Sequence, residues 1–253
     1  MNKVKISYII ITWNGKQLLT DLLISMKKQL LRTDVEVIVT DNGSSDDTTE
    51  WLTVTYPSIH LISLDTNKGV AYARNRALEQ ASGEYLFIID NDIQLTDEAV
   101  EGMEQYMDTH PDVGMVGCRL NYPNGEIQES CKPYPGIRQK IHHILAPQSS
   151  FMTYASQILA GQPFEPEYII GACQLIRAKA YKQVGPLDEN IFYGPEDCDY
   201  CLRLRAAGWK VIYLPPYTMI HHCQRKTTTH PFSTLGRKHM SALAYFYWKH
   251  KRI

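Results

Sequence analysis

Apolar and polar positions alternate along the first hundred residues with two different periods. Residues 4–12 (VKISYIIIT) form a continuous apolar, β-branched run, the mark of a strand buried on both faces. KQLLTDLLISMKKQL follows with helical spacing, then a second strand, VEVIVTD, ending at Asp41. GSSDDTTEWL carries the Ser and Asp chemistry that opens a helix. IHLISL predicts a third strand, GVAYARNRALEQA a third helix and EYLFIID a fourth strand. Strands alternating with helices at this spacing predict an α/β architecture, a mostly parallel central sheet flanked by helices. Ligands of such sheets sit at the carboxyl ends of the strands. Those ends are where Thr12-Trp13-Asn14, Thr40-Asp41-Asn42-Gly43 and Asp90-Asn91-Asp92 collect.

The pattern changes beyond residue 112. VGMVGCRL is strand-like, and NYPNGEIQ carries a hairpin signal at Asn124-Gly125. Residues 131–168 read as irregular, with prolines, aromatics and the pair His142-His143. Further on, IFYGPEDCDYCLRLRAAGW (191–209) predicts a helix from about 195 to 207. Pro195 suits its first position, Glu196, Asp197 and Asp199 its first turn, and Gly208 its end. Capping explains the acids. It does not explain why such hydrated groups follow the run Phe192-Tyr193-Gly194.

At 253 residues the chain has ample length to bury a core, and 44% hydrophobic with 21% charged residues is ordinary for a soluble protein. No apolar run approaches the roughly 20 residues that span a bilayer, and the N-terminus lacks a signal-peptide plan. Six scattered cysteines fit a reducing cytoplasm. Charge does change the picture. After Asp199 the chain has ten Lys or Arg and no Asp or Glu, although the net charge is only −1. Such a tail either faces something anionic or neutralises the acidic remainder. Residues 235–252 place Met240, Leu243, Ala244 and Tyr247 at helical spacing among basic residues, which suits an anionic membrane surface or a helix docked on the core.

Several short stretches carry candidate chemistry. In YLFIIDND, Asp90 and Asp92 end a strand two positions apart and so point the same way, able to share one hard cation such as Mg²⁺ or Mn²⁺; acids there also cap helices. Asp41 ends another strand, placed to accept hydrogen bonds from a base or ribose, or simply to make a turn. Asn67, Gly69 and Arg74 of NKGVAYARNRAL could border a nucleotide, or Arg74 could be a solvated helix residue. Cys198, Cys201, Cys223 and His221 can be drawn as a zinc site, but a lone Cys-x-x-Cys within a helix is more often two buried thiols. The basic residues are not interleaved with a recognised aromatic motif, which argues against nucleic acid.

The ordered set SYIIITWNG, VTDNGSSDDT, NKGVAYARN, GEYLFIIDND, NYPNGEIQES, GACQLIRAKAYKQVGPLDENIFYGPEDCDYCLRLRAAGWKVIYLPP and MIHHCQR resembles family 2 glycosyltransferases of the GT-A fold, nearest the bacterial rhamnosyltransferase-like subgroup. The resemblance covers roughly residues 5–225. It implies a GT-A domain over 1–230, with a nucleotide-sugar half at 1–112 and an acceptor half at 113–230, followed by a basic aromatic helix at 231–253. It implies inverting transfer from a UDP- or dTDP-sugar to a glycan or lipid-linked acceptor in cell-surface polysaccharide synthesis. Thr12 and Asp41 would contact base and ribose, Asn67, Arg74 and Asp90 would line the same pocket, and Asp92 and His221 would hold Mg²⁺ or Mn²⁺. Asp197 would be the catalytic base, with Glu196 beside it. His221 is preferred to His222 because strand alternation points the two apart. The competing readings are a non-catalytic nucleotide-sugar-binding protein and a nucleotidyltransferase of similar fold.

Overall fold

A computed structural model describes residues 3–134, 153–223 and 234–250. The expected alternation is present: β1 (Ile6–Thr12), α1 (Lys16–Ser25), β2 (Val35–Asp41), α2 (Thr48–Thr55), β3 (His60–Ser63), α3 (Val70–Gln80) and β4 (Tyr85–Asp90). The run predicted as one long first helix breaks after Ser25, and a short 3₁₀ turn at Gln29–Leu31 follows. The four strands lie in the order β3-β2-β1-β4, all parallel. The chain therefore leaves β1 for β2 on one side and reaches β4 on the other. At such a switch point the strand ends open a crevice. Here it lies beside Thr12 and Asp90.

β5 (Ile93–Gln94), α4 (Asp97–Thr109), β6 (Val113–Asn121), β7 (Ile127–Gln128), β8 (Cys131–Lys132), α5 (Ala155–Ala160), β9 (Tyr168–Ile169), β10 (Cys173–Arg177), α6 (Ala178–Val184), α7 (Glu196–Ala206), β11 (Lys210–His221) and α8 (Thr234–Lys249) complete the described elements. The sheet continues from β4 through β10, β6 and β11 to β5, with β10 antiparallel to both β4 and β6, and β11 parallel to β6. The sheet is thus mixed, with most strands running one way. The Asn-Gly signal is a true hairpin: β7 pairs with the end of β6, and Gly125 takes φ +86° in the turn. Residues 135–152, including His142 and His143, lie outside the described residues.

Two apolar layers cover the sheet, one under α1 and α4 and one under α3, α6 and α7. On α3 the small Ala71, Ala73 and Ala77 lie fully buried. α7 begins at Glu196, one residue later than predicted, with Pro195 as its cap and the Gly194–Pro195 peptide cis. α8 packs on the core, but shares only Leu243 of its buried face with the stripe read from the sequence. Ala242, Leu243 and Phe246 point inward, whereas Met240 is 61% exposed and Ala244 also faces out. The helix is turned by its polar anchors: Lys249 and His250 both reach the fully buried carboxylate of Asp199, at 2.7 Å each. Part of the basic tail thus neutralises acids of the core. No described helix is long and apolar enough to cross a membrane.

Candidate active site

Asp92 and His221 meet because β5, immediately after Asp92, pairs with the end of β11: His221 lies opposite Ile93, and His222 N donates to the Asp92 carbonyl at 2.9 Å. The His221 ring is buried, with Nε2 3.2 Å from Asp92 Oδ1. Its Nδ1 faces Gln128 Oε1 at 2.7 Å. An amide oxygen only accepts, so Nδ1 carries a proton toward it and Nε2 is the ring atom aimed at the carboxylates. Ligand atoms of Asp90, Asp92 and His221 all lie within 4.8 Å of one another. Two carboxylates and one imidazole nitrogen at this distance are held together by a proton on Nε2 or by a cation, and the donor set fits a divalent ion of the Mg²⁺ or Mn²⁺ kind. Burial opposes a charged His221, yet Asp92 and Asp90 outweigh it and raise the imidazole above its ordinary value. His222 is exposed and turned away.

Glu196 and Asp197 stand at the start of α7, across a cleft of about 880 Å³ lined by both halves of the chain. That volume lies within the range of cofactor-sized sites. Arg74 joins the two acidic groups. From α3, buried to 3% exposure, it donates to Asp90 Oδ1 at 2.6 Å, to Glu196 Oε1 at 3.1 Å and to the Gly171 carbonyl at 2.9 Å. Gly171 N in turn donates to Asp197 Oδ2 at 3.0 Å. The antiparallel pairing of β10 on β4 sets this junction, since Asp90 N donates to Ala172 O at 3.0 Å. Glycine leaves room for the guanidinium: a Cβ on Gly171 would lie 2.6 Å from Arg74 Nη1 and push it aside. Burial pushes Glu196 up to about 7, aided by Asp197 and opposed by Arg74. Burial also raises Asp197, against the backbone N–H of Cys198 and Gly171. A carboxylate whose affinity for a proton is raised is a stronger base. Asp199, two positions on, points away and is held below the ordinary carboxylate range: its burial is outweighed by Lys249, Arg203 and His250.

On the opposite wall, Thr12 Oγ1 accepts from Asn91 Nδ2 at 3.0 Å. Asn67 lines the cleft, its Oδ1 accepting from Gly69 N at 3.0 Å and from Asn42 Nδ2 at 3.2 Å. Asp41 lies just behind this wall, 2% exposed. Ser44 satisfies both its oxygens, through its N–H at 2.9 Å and its hydroxyl, so a ligand would reach Asp41 only where that hydroxyl turned aside. Cys198 and Cys201 are buried thiols, with Cys201 Sγ 3.7 Å from Met115 Sδ, and among the described residues only Asp90, Asp92 and His221 form a metal-ready group.

Sequence reasoning missed the residues that hold these groups in place. Gln128 fixes the His221 ring; its place in the Asn-Gly hairpin gave no chemical signal. Asn42 clamps the 67–69 loop, accepting from Lys68 N at 2.9 Å. Asn75 crosses from α3 to exchange hydrogen bonds with the Leu187 backbone at 2.9 and 3.0 Å. Polarity on the inner face of α3 was the one available hint for Asn75.

Residues 7–185 match the family model described as "Glycosyl transferase family 2". The chain belongs to glycosyl transferase family 2. Among the relatives of this family 2 member, the N-acetylglucosaminyl-diphospho-decaprenol L-rhamnosyltransferase of Mycobacterium tuberculosis is 28% identical over 85% of this chain and 76% of its own length. The dTDP-rhamnosyl transferase RfbF of Shigella flexneri is 24% identical, over 84% and 67%. A mannosyltransferase from Pyrobaculum calidifontis, solved with GDP-Man and Mn²⁺, superposes with a TM-score of 0.63 at 19% identity, covering 88% of this chain and 58% of that one. GalNAc-T7, solved with UDP, GalNAc and Mn²⁺, gives 0.66 at 14% identity, over 89% and 44%. The fold of this family 2 chain is thus the GT-A fold.

Proposed function

We propose that this family 2 chain is an inverting, metal-dependent glycosyltransferase that moves a sugar from a dTDP- or UDP-sugar to a hydroxyl of a glycan or lipid-linked acceptor. Asp197, Glu196, Asp92 and His221 converging on one cleft carry the reading: a non-catalytic binder has no need of a base opposite a metal-ready group. Asp197 takes the acceptor hydroxyl proton as that oxygen attacks the anomeric carbon, and the bond from that carbon to the diphosphate breaks on the far face. A divalent ion held by Asp92 and His221, with Asp90 beside them, would offset the charge left on the nucleotide diphosphate. Glu196 and Arg74 keep the two sides in register, while Thr12, Asn67 and, through Ser44, Asp41 flank the nucleoside. Phe192 and Tyr193 give the sugar an apolar wall that limits water.

The names of the mycobacterial and Shigella relatives make dTDP-rhamnose the first donor to try. A panel of dTDP- and UDP-sugars, with Mn²⁺ or with chelator, should yield nucleotide diphosphate only with metal and with a polyprenyl-diphosphate-linked sugar acceptor. If neither dTDP nor UDP raises the melting temperature and no donor is consumed, the assignment fails. The outward face of α8, where Arg237, Met240 and Trp248 are exposed, supports cytoplasmic work against an anionic membrane surface. Sedimentation with anionic and with neutral liposomes tests that contact.

A further inference from the structure

We propose that α8 is part of the catalytic apparatus, with His239 and Lys238 positioning the Phe192–Gly194 loop that aims Asp197. This rests on the transferase reading above. The family match ends at residue 185, so nothing in it assigns a role to this helix. Yet α8 touches the segment 188–199 along its whole length. Upstream, Tyr245 OH donates to Asp188 Oδ2 at 3.0 Å and Lys249 Nζ lies 2.6 Å from the same oxygen. Downstream, Lys249 and His250 hold Asp199 on α7. Between these anchors, His239 Nδ1 donates to the Tyr193 carbonyl at 2.9 Å, and the Lys238 ammonium stands 3.6 Å from the Phe192 ring centroid.

The middle contacts fall where they matter chemically. Gly194 N donates to Glu196 Oε2 at 2.6 Å, so the loop carbonyl held by His239 is one residue from a direct ligand of the Glu-Asp pair. The other side of the loop rests on α3: Val70 N donates to Phe192 O at 2.8 Å, and a Cβ on Gly69 would lie 2.6 Å from that oxygen. The loop is therefore gripped between the donor half and α8. Among the described residues of α8, His239 and Leu243 also line the cleft itself. A cation over an aromatic face and a hydrogen bond to a carbonyl are each modest attractions. Together they select one loop position, and a displacement of about 1 Å is enough to cost 10²-fold in rate.

The anchors at Asp188 and Asp199 remain in point variants of the middle, so folding is preserved. His239→Ala and the double variant Lys238→Ala/His239→Ala should lower kcat for sugar transfer roughly tenfold and more, while the Kd for nucleotide diphosphate with Mn²⁺ stays within about twofold. Transfer to water should rise relative to transfer to the acceptor. His239→Asn, whose amide N–H can replace the Nδ1 donor, should recover most of the loss. Ser241→Ala, at an exposed position of the same helix, serves as the unchanged control. A folded double variant with wild-type kcat and wild-type partition to water overturns the proposal, as does a His239→Asn no better than His239→Ala. Absence of any sugar transfer by the unmodified protein would instead overturn the transferase assignment, so the two failures are distinguishable.

Discussion

The two walls of the cleft are built by different means. On the strand-end side, Thr12, Asn42 and Asp90 sit at or just past the ends of adjacent parallel strands, and sheet register alone brings them together. On the far side, Glu196 and Asp197 hang on a loop and one helix start, and their place is set by long-range contacts. Arg74 reaches Glu196 across 122 residues of sequence. A wall fixed by a backbone ladder is hard to move with one side chain. A wall fixed by a few ion pairs is not. Substitutions in the second wall should therefore change turnover while nucleotide binding stays nearly constant.

The sharpest break of that comparison is Asp197→Asn. It is almost isosteric and its one amide oxygen can keep either the Gly171 or the Cys198 N–H, not both, but the carboxylate that would act as base is gone. Loss of a general base typically costs about 10²–10⁴ in rate. Turnover at saturating donor should fall by that much, with calorimetric affinity for the nucleotide diphosphate retained. Asp199→Asn should differ: melting temperature lowered, and turnover reduced far less than in Asp197→Asn, only by what a loosened α8 costs, because Asp199 binds Arg203, Lys249 and His250 away from the cleft. If Asp199→Asn abolishes turnover in a folded protein while Asp197→Asn does not, the assignment of the two carboxylates is reversed.

Arg74 belongs to both walls, and Arg74→Met tests whether they are coupled. The change leaves Asp90 and Glu196 without their shared cation in a buried setting. Removing one partner of a buried ion pair costs about 3–5 kcal/mol. Urea unfolding should show a loss of that order, and addition of Mn²⁺ should recover part of it by binding at Asp90 and Asp92. A loss below about 1 kcal/mol would mean that the walls stand independently.

How much of this was legible beforehand follows the same division. Strand ends can be read because strand patterning is local: VEVIVTD and EYLFIID announced Asp41 and Asp90 before any contact was known. The acids of α7 were conspicuous because a capping explanation did not reach Phe192 and Tyr193. What local pattern could not reveal were pairings set by chain crossing. Spacing offered Arg74 as a neighbour of the nucleotide or a solvated helix residue, not as the buried cation between Asp90 and Glu196, and nothing in NYPNGEIQ linked Gln128 to a histidine on another strand. The α8 face was misjudged for a related reason. Apolar spacing proposed Met240 and Ala244, but the ion pairs at Asp199 decided the rotation.

The next test concerns pH. Glu196 is pushed from an ordinary carboxyl value up to about 7 in the folded protein, with burial as the main cause. The native state then binds a proton more tightly than the unfolded chain does. Its contribution to stability is complete below about 4.5 and is lost as pH rises through about 7. Glu196→Gln removes that dependence while keeping the shape. Relative to this variant, wild type should lose up to about 3 kcal/mol between pH 4.5 and pH 8, at 1.36 kcal/mol per unit of pKa. A constant difference in stability across that range would show that Arg74 cancels the burial of Glu196.

Gln128 gives the smallest effect and the finest test of the first wall. It acts through the histidine: it holds the proton on His221 Nδ1 so that Nε2 faces Asp92. Partners of this kind typically change metal affinity by about 10–100-fold when removed. Asp90 and Asp92 stay in place on the strand end, so the lower end of that range is expected for Gln128→Leu. Mn²⁺ titration by calorimetry in the presence of nucleotide diphosphate should show affinity about tenfold weaker, with melting temperature little changed. Gln128→Glu should reverse the direction, because a carboxylate on Nδ1 makes the imidazole a stronger donor. If both variants bind Mn²⁺ as wild type does, His221 is not a ligand, and the metal-ready group reduces to the two carboxylates that strand register alone supplies.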